Sequence, residues 1–133
     1  MMQTLTLRTS QREELMDITS LIEELVRNSG VTSGMAICFV PHTTAGITIN
    51  EAADPDVRRD IIYKLGKEIP AQDGYNHAEG NSDAHIKASL MGSSLQILVE
   101  NGHLEMGQWQ GIYFCEFDGP RTRQLMVKVA QLA

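Results

Sequence analysis

The sequence predicts an α+β domain built mostly from antiparallel sheet. Three observations carry that prediction. First, alternating apolar residues recur near both ends of the chain, as Leu5 and Leu7 at the start and Leu125, Val127 and Val129 at the end. Strand side chains point to opposite faces in turn, so this period suits half-buried strands. Second, two intervening segments repeat their apolar residues at helical spacing. Third, turn signals at Asn101-Gly102 and at Asp118-Gly119-Pro120-Arg121 join neighbouring strand-like runs through few residues. Such short links favour hairpin-like pairing over helical crossovers.

Taken in order, residues 2–9 read as a strand, and residues 12–19 fit either a strand or a helix. From Ser20, Leu21, Ile22, Leu25 and Val26 recur at helical spacing, with Gly30 as the stop. Residues 34–40 and 46–50 read as two strands. A strong helix start follows. Asp54 can cap free amides, Pro55 suits the first helical position and Asp56 complements the dipole. Val57, Ile61, Leu65 and Ile69 then form one stripe expected to be buried, with Gly66 weakening the later part and Pro70 limiting the end. Residues 70–83 form a polar, glycine-bearing loop, long enough to suggest function. It leads to a short helix expected to be capped by Ser82 or Asp83 and stopped by Gly92. Strands are expected at 94–100, 109–117 and 123–132.

With 133 residues, 42% hydrophobic and 21% charged, the chain reads as one soluble domain spanning residues 1–133. Aromatic residues make up only 5%, so the core must rely on Ile, Leu, Val and Met. Eleven basic against seventeen acidic residues leave a net charge of -6, which argues against a protein that grips nucleic-acid phosphates. Local basic spots at Arg121 and Arg123 still suit one small anion. No apolar run approaches the roughly 18 residues of a membrane helix, and the start lacks the pattern of a signal peptide. A cytoplasmic location is therefore expected, with no membrane partner. Cys38 and Cys115 lie inside apolar runs and are expected to be buried thiols, with no CxxC pair for thiolate metal binding.

Four histidines, at 42, 77, 85 and 103, carry the candidate chemistry. His42 follows a buried strand at a sharp bend. His77 sits in the long loop beside Glu79. His85 lies in the first turn of the short helix, where the dipole suits a neutral imidazole able to accept a proton or bind a metal. His103 follows Asn-Gly and reads as exposed. If His42, His77 and His85 converge, with Glu51 or Glu79 nearby, they form a divalent-ion site. The bland alternative is that Glu51 only ends a strand and Glu79 is solvated. Lys87, two residues after His85, suits an anionic substrate group or simple solvation. Ser89, Ser93 and Ser94 lack a nucleophile-elbow motif, and no phosphate-binding glycine loop is present.

Four segments carry more than spacing: HTTAGITINEAADPDVRRD, HAEGNSDAHIKASLMGSS, GHLEMGQWQGI and EFDGPRTR. Together they resemble the YjbQ family, also called the secondary thiamine-phosphate synthase family, in order along nearly the whole chain. The resemblance implies an α+β fold with two sheets packed as a sandwich and two to three helices, assembled as a homotrimer with pockets near subunit boundaries. His42 matches the histidine of the family's His-Thr-Ser/Thr motif, and Asn50 and Glu51 match its Asn-Glu. His77 matches the loop histidine, His85 and Lys87 the His-x-Lys, and Trp109 and Gln110 the Trp-Gln. Gln108 departs from the family's threonine, and His103 has no counterpart.

The implied activity joins a pyrimidine pyrophosphate to a thiazole phosphate as a side reaction. On this reading the protein is a metal-assisted enzyme acting on a small phosphorylated or anionic substrate. The catalytic set is His42, Glu51 and His85, and the ligands of a divalent ion, zinc or magnesium, are His42, His77 and His85. Thr43, Asn50, Lys87, Trp109 and Arg121 would contact substrate. The alternative is a non-catalytic trimeric module whose histidines and Trp109 line a ligand pocket or an interface.

Overall fold

The computed structural model describes residues 1–132. Eight strands and three helices follow one another as β1 (Gln3–Arg8), β2 (Glu14–Asp17), α1 (Thr19–Ser29), β3 (Ser33–Phe39), β4 (Ala45–Glu51), α2 (Pro55–Glu68), α3 (Ser82–Met91), β5 (Ser94–Glu100), β6 (His103–Leu104), β7 (Gln110–Glu116) and β8 (Thr122–Gln131). The strands form a five-stranded sheet, β1-β8-β3-β5-β6, and a three-stranded sheet, β2-β7-β4. Every pairing is antiparallel. The α+β class and the two-sheet arrangement are both as expected.

Alternation builds the layers. On β7, Ile112 and Phe114 enter a core shared with Ala36 and Cys38 of β3, Ile47 of β4, and Leu125 and Val127 of β8. Their neighbours Tyr113 and Cys115 face the other way, joining Leu15 of β2 and Ala84 and Ala88 of α3. So β7 is buried on both faces, which is why residues 111–115 read as a continuous apolar run rather than an alternating one. Helix α1 adds Ile22 and Val26 to the first core. The two thiols are free and fall in different clusters, and burial pushes Cys38 up to about 11 and Cys115 up to about 12.

Local signals mostly act as read. Gly30 ends α1 in the left-handed conformation, at φ 73. The Asp54 carboxylate accepts the Asp56 N–H at 2.9 Å, and Pro55 opens α2. Asn101 and Gly102 both have positive φ, the geometry of a tight hairpin turn between β5 and β6.

One open choice is settled, and two details differ from expectation. The ambiguous segment forms β2, because Leu15 packs inward beside β7 rather than along a helical face. The stripe on α2 is only half-buried, since Val57, Ile61 and Leu65 cover a three-stranded sheet without a further layer above them. The residue preceding α3 is Asn81, and neither Ser82 nor Asp83 caps the helix, because the Asp83 carboxylate is drawn into ion pairs instead.

Candidate functional site

His42 lies in the connection between β3 and β4. Backbone bonds anchor that bend: Val40 N–H donates to the Ser93 carbonyl at 2.7 Å, and Ile47 N–H to the Gly92 carbonyl at 3.1 Å. Gly46 permits the close approach of β4 to the end of α3. A Cβ there would sit 2.8 Å from the Gly92 oxygen and 3.0 Å from the Met91 Cβ. This contact brings His42 and His85 to one depression, whose two overlapping halves measure about 480 and 510 Å³. That size suits a small ligand. A separate depression at Gln3, Leu25 and Asn28 has no titratable side chain.

The Nε2 of His42 accepts the Gln124 N–H at 2.9 Å. That nitrogen therefore carries no proton, and Nδ1 carries it as a donor. Burial lowers the His42 pKa, and the positive charge of Arg123 lowers it further, so the neutral ring prevails at neutral pH. His77 meets His85 edge to face, with ring centroids 5.4 Å apart and planes at 89°. The His77 Nε2 stands 3.9 Å from the Glu79 carboxylate. Among the described residues, no group of three or more His, Cys, Asp or Glu side chains is placed to hold a metal ion.

Other expected site residues lie elsewhere. Glu51 ends β4, six residues beyond Ala45 at the depression, which is roughly 20 Å along an extended strand. Its carboxylate accepts the Ala53 N–H at 2.8 Å, and its carbonyl accepts the Tyr113 hydroxyl at 3.0 Å. Asn50 accepts the Glu51 N–H at 2.7 Å. Trp109 stays 57% exposed at that same end, where its carbonyl accepts the Ala52 N–H at 2.8 Å. Within one chain, then, Asn50, Glu51 and Trp109 form a second group that does not reach His42 or His85.

Lys87 requires correction as a substrate contact. It is 1% exposed, with its ammonium 2.7 Å from Glu13 and 3.0 Å from Asp83. Asp83 in turn takes both guanidinium nitrogens of Arg12, at 3.1 and 3.0 Å. Side chains at i and i+4 share a helix face, so Asp83 and Lys87 both point inward to this network and away from ligands. Arg121 folds back on Asp118, donating to its carbonyl at 2.7 Å and its carboxylate at 3.1 Å. Thr43 does line the depression beside His42.

The residue that enters the depression in place of Arg121 is Arg123. Its Nε donates to Glu116 Oε1 at 2.8 Å, and its Nη2 donates to Glu116 Oε2 and to the Thr44 hydroxyl, the latter at 2.8 Å. Glu116 also accepts the Thr9 hydroxyl at 2.8 Å and the Asp118 N–H at 3.0 Å. Burial alone raises the Glu116 pKa, but these donors outweigh it and hold the carboxyl below its ordinary value. A signal for this pair was present in the strand phase. Arg123 shares a face with Leu125 and Val127, and Glu116 shares one with Ile112 and Phe114, so each is a charge at an inward position.

Fold and site together define an α+β sandwich with a histidine-lined depression at one end of its smaller sheet. Residues 3–132 match the family profile described as "UPF0047 protein YjbQ-like", and the chain belongs to that family. It is 50% identical to the UPF0047 protein YugU of Bacillus subtilis, over 97% of this chain and 98% of the relative. A UPF0047 protein of Methanocaldococcus jannaschii is 54% identical over 92% of this chain and 89% of its own length. Among solved structures, an uncharacterised YjbQ/UPF0047 protein of Clostridium acetobutylicum superposes with a TM-score of 0.95 at 59% identity, covering 96% of this chain and 99% of that one. A protein of unknown function from Sulfolobus solfataricus superposes at 0.94 with 31% identity, covering 99% and 97%. No helix among the described residues is long and apolar enough to cross a membrane.

Proposed function

We propose that this protein is an enzyme that binds a small anionic or phosphorylated substrate between His42 and His85. The observation that carries the reading is the convergence of these two rings, 43 positions apart in sequence, on one depression. His42 offers its Nδ1 proton as a hydrogen-bond donor, and burial together with the neighbouring Arg123 charge favours the neutral ring for that role. His85, whose ring has no hydrogen-bond partner among the described residues, accepts or returns the substrate proton.

The geometry also bears on a divalent ion. A tetrahedral zinc with Zn–N bonds of about 2.1 Å places two imidazole centroids about 5 Å apart, and His77 and His85 stand at 5.4 Å. That spacing is compatible with the two as ligands, with the remaining positions left to substrate or solvent oxygens. His42 does not fit through Nε2, whose lone pair already receives the Gln124 N–H. An ion held there would neutralise phosphate charge during loss of diphosphate.

Turnover of the thiamine precursors named above is the test. Wild-type protein purified without a histidine tag should carry zinc or bind it, and should turn over the precursors. His85→Ala should lose both while keeping its melting temperature. Undiminished turnover in His85→Ala would sink the reading. A non-catalytic binding role has one observation in its favour, since no carboxylate lines the depression to serve as a base. On that role, ligand binding would persist with no turnover in wild type.

Assembly as a homotrimer is part of the same proposal. Ile86 and Leu90 are exposed at i and i+4 on α3, and Leu98 is 62% exposed on β5. Such apolar surface suits burial against further copies. Sedimentation at micromolar concentration should give three times the 14.7 kDa chain mass; a monomer would refute this part.

A further inference from the structure

We infer that the depression holds an oxyanion of the phosphate type, and that Arg123 is the residue that grips it. Arg123 is locked from behind. Its side chain is 5% exposed, and its Nε and Nη2 are taken by Glu116 and Thr44. Its Nη1 makes no hydrogen bond among the described residues, and Arg123 itself lines the depression. A guanidinium fixed on two nitrogens and open on the third loses little rotamer freedom when an anion arrives.

The surroundings agree with an anion. The chain carries seventeen acidic residues, yet none lines either half of the depression. Its polar lining consists of Arg123 with its partner Thr44, the His42 ring with its Nδ1 proton, and Thr43, Ser89 and Ser93, with His85 at the far side. Thr43 and Ser93 are exposed and have no hydrogen bond assigned to their hydroxyls within the chain, so both can turn toward a bound oxygen. Glu116 cancels the formal charge of Arg123, but its oxygens are turned to Thr9, Asp118 and Arg123. The open N–H is therefore what an arriving anion meets. Charge-assisted bonds from a guanidinium are roughly twice as strong as neutral ones.

This deepens the proposed function and rests on it for the location of the site. The test uses full-length protein and inorganic phosphate, read by calorimetry and by NMR titration of the His42 ring. Phosphate should bind wild type and raise the titration midpoint of His42, because a nearby anion favours the imidazolium. Arg123→Lys keeps a cation for Glu116 but removes the third N–H; it should weaken phosphate by at least about tenfold. Should that variant fail to fold, Arg123→Met combined with Glu116→Leu removes the buried pair together and should show the same loss. Absence of phosphate binding in wild type, or unchanged affinity in a folded Arg123 variant, overturns the inference. His85→Ala separates the two claims. It should abolish turnover by removing the proton-transfer group while phosphate binding still depends on Arg123, so an active His85→Ala that still needs Arg123 for phosphate refutes the role of His85 alone.

Discussion

Two buried ion-pair systems sit at the two sides of the smaller sheet, and their difference is instructive. At α3, Lys87 is flanked by Glu13 and Asp83, and Asp83 also takes Arg12 in a two-pronged contact. That system ties the segment between β1 and β2 to the short helix, and Lys87 faces nothing but its partners. At the end of β7 and β8, Glu116 and Arg123 are also buried, but Arg123 keeps one nitrogen without a hydrogen bond and lines a depression that His42 and His85 share. Both hold a buried cation against a buried carboxylate, although the first also has the partly exposed Arg12 and Glu13 as reserve partners. What separates a structural cation from a binding one is the donor left over and the space in front of it.

The comparison can be broken most forcefully by deleting each cation. Arg123→Met strands Glu116 at 0% exposure and should cost about 3–5 kcal/mol in urea unfolding. Lys87→Met should cost less, about 2 kcal/mol, because Asp83 retains Arg12 and the Glu13 side chain is 20% exposed. Phosphate affinity should survive the second change and not the first. Equal losses of stability would mean that the two systems do not differ in their reserve of partners.

Acid should affect both systems in the same direction. Burial raises the Asp83 pKa, but Arg12 and Lys87 together bring it below the ordinary carboxylate value, as Arg123 does for Glu116. A depressed carboxyl binds fewer protons folded than unfolded, so stability rises with pH across its titration. The contribution is complete above about pH 4.5 and is lost as pH falls through the folded values. His42 adds a smaller effect of the same sign, present above about pH 6.5 and lost below it, because its pKa is also lowered. Chemical denaturation from pH 7 to pH 3 should show the carboxylate step in wild type. In Glu116→Gln it should shrink.

The smallest effect belongs to a pair that resembles these only on paper. Arg59 and Asp56 lie 2.8 Å apart on α2, with side chains 75% and 72% exposed. Water screens such a pair, so Arg59→Ala should change stability by no more than about 0.5 kcal/mol. A larger change by thermal melt would show that exposure does not govern these contributions here.

Much of the fold was legible in local pattern. Alternation along residues 3–8 and 122–131, the Gly30 stop and the Asp54-Pro55 start each describe interactions made within a few residues, and each is present. Segment 12–19 was not legible, because four residues are too few to show a period and only pairing with β7 makes them a strand. The candidate site was legible as residue types. His42, Thr43 and His85 do meet, whereas Asn50, Glu51 and Trp109 gather at the other end of β4. Sequence distance misled at Glu51, since nine residues after His42 along a strand carry the side chain away from it rather than back.

By itself, the sequence determined the α+β class, the turns, the helix ends and the histidines able to do chemistry, because these follow from backbone conformation and side-chain type. It marked Arg123 only as a basic spot able to meet an anion and did not single out Glu116, although both stand in strand-like runs. Only the tertiary structure decided that Lys87 is sealed among carboxylates, that Arg121 turns back on Asp118, and that Arg123 keeps a donor free beside His42. The reason is physical. Whether a charged group is a support or a ligand contact depends on how many of its hydrogen bonds the surrounding fold already satisfies, and those partners come from residues as far as 107 positions away along the chain.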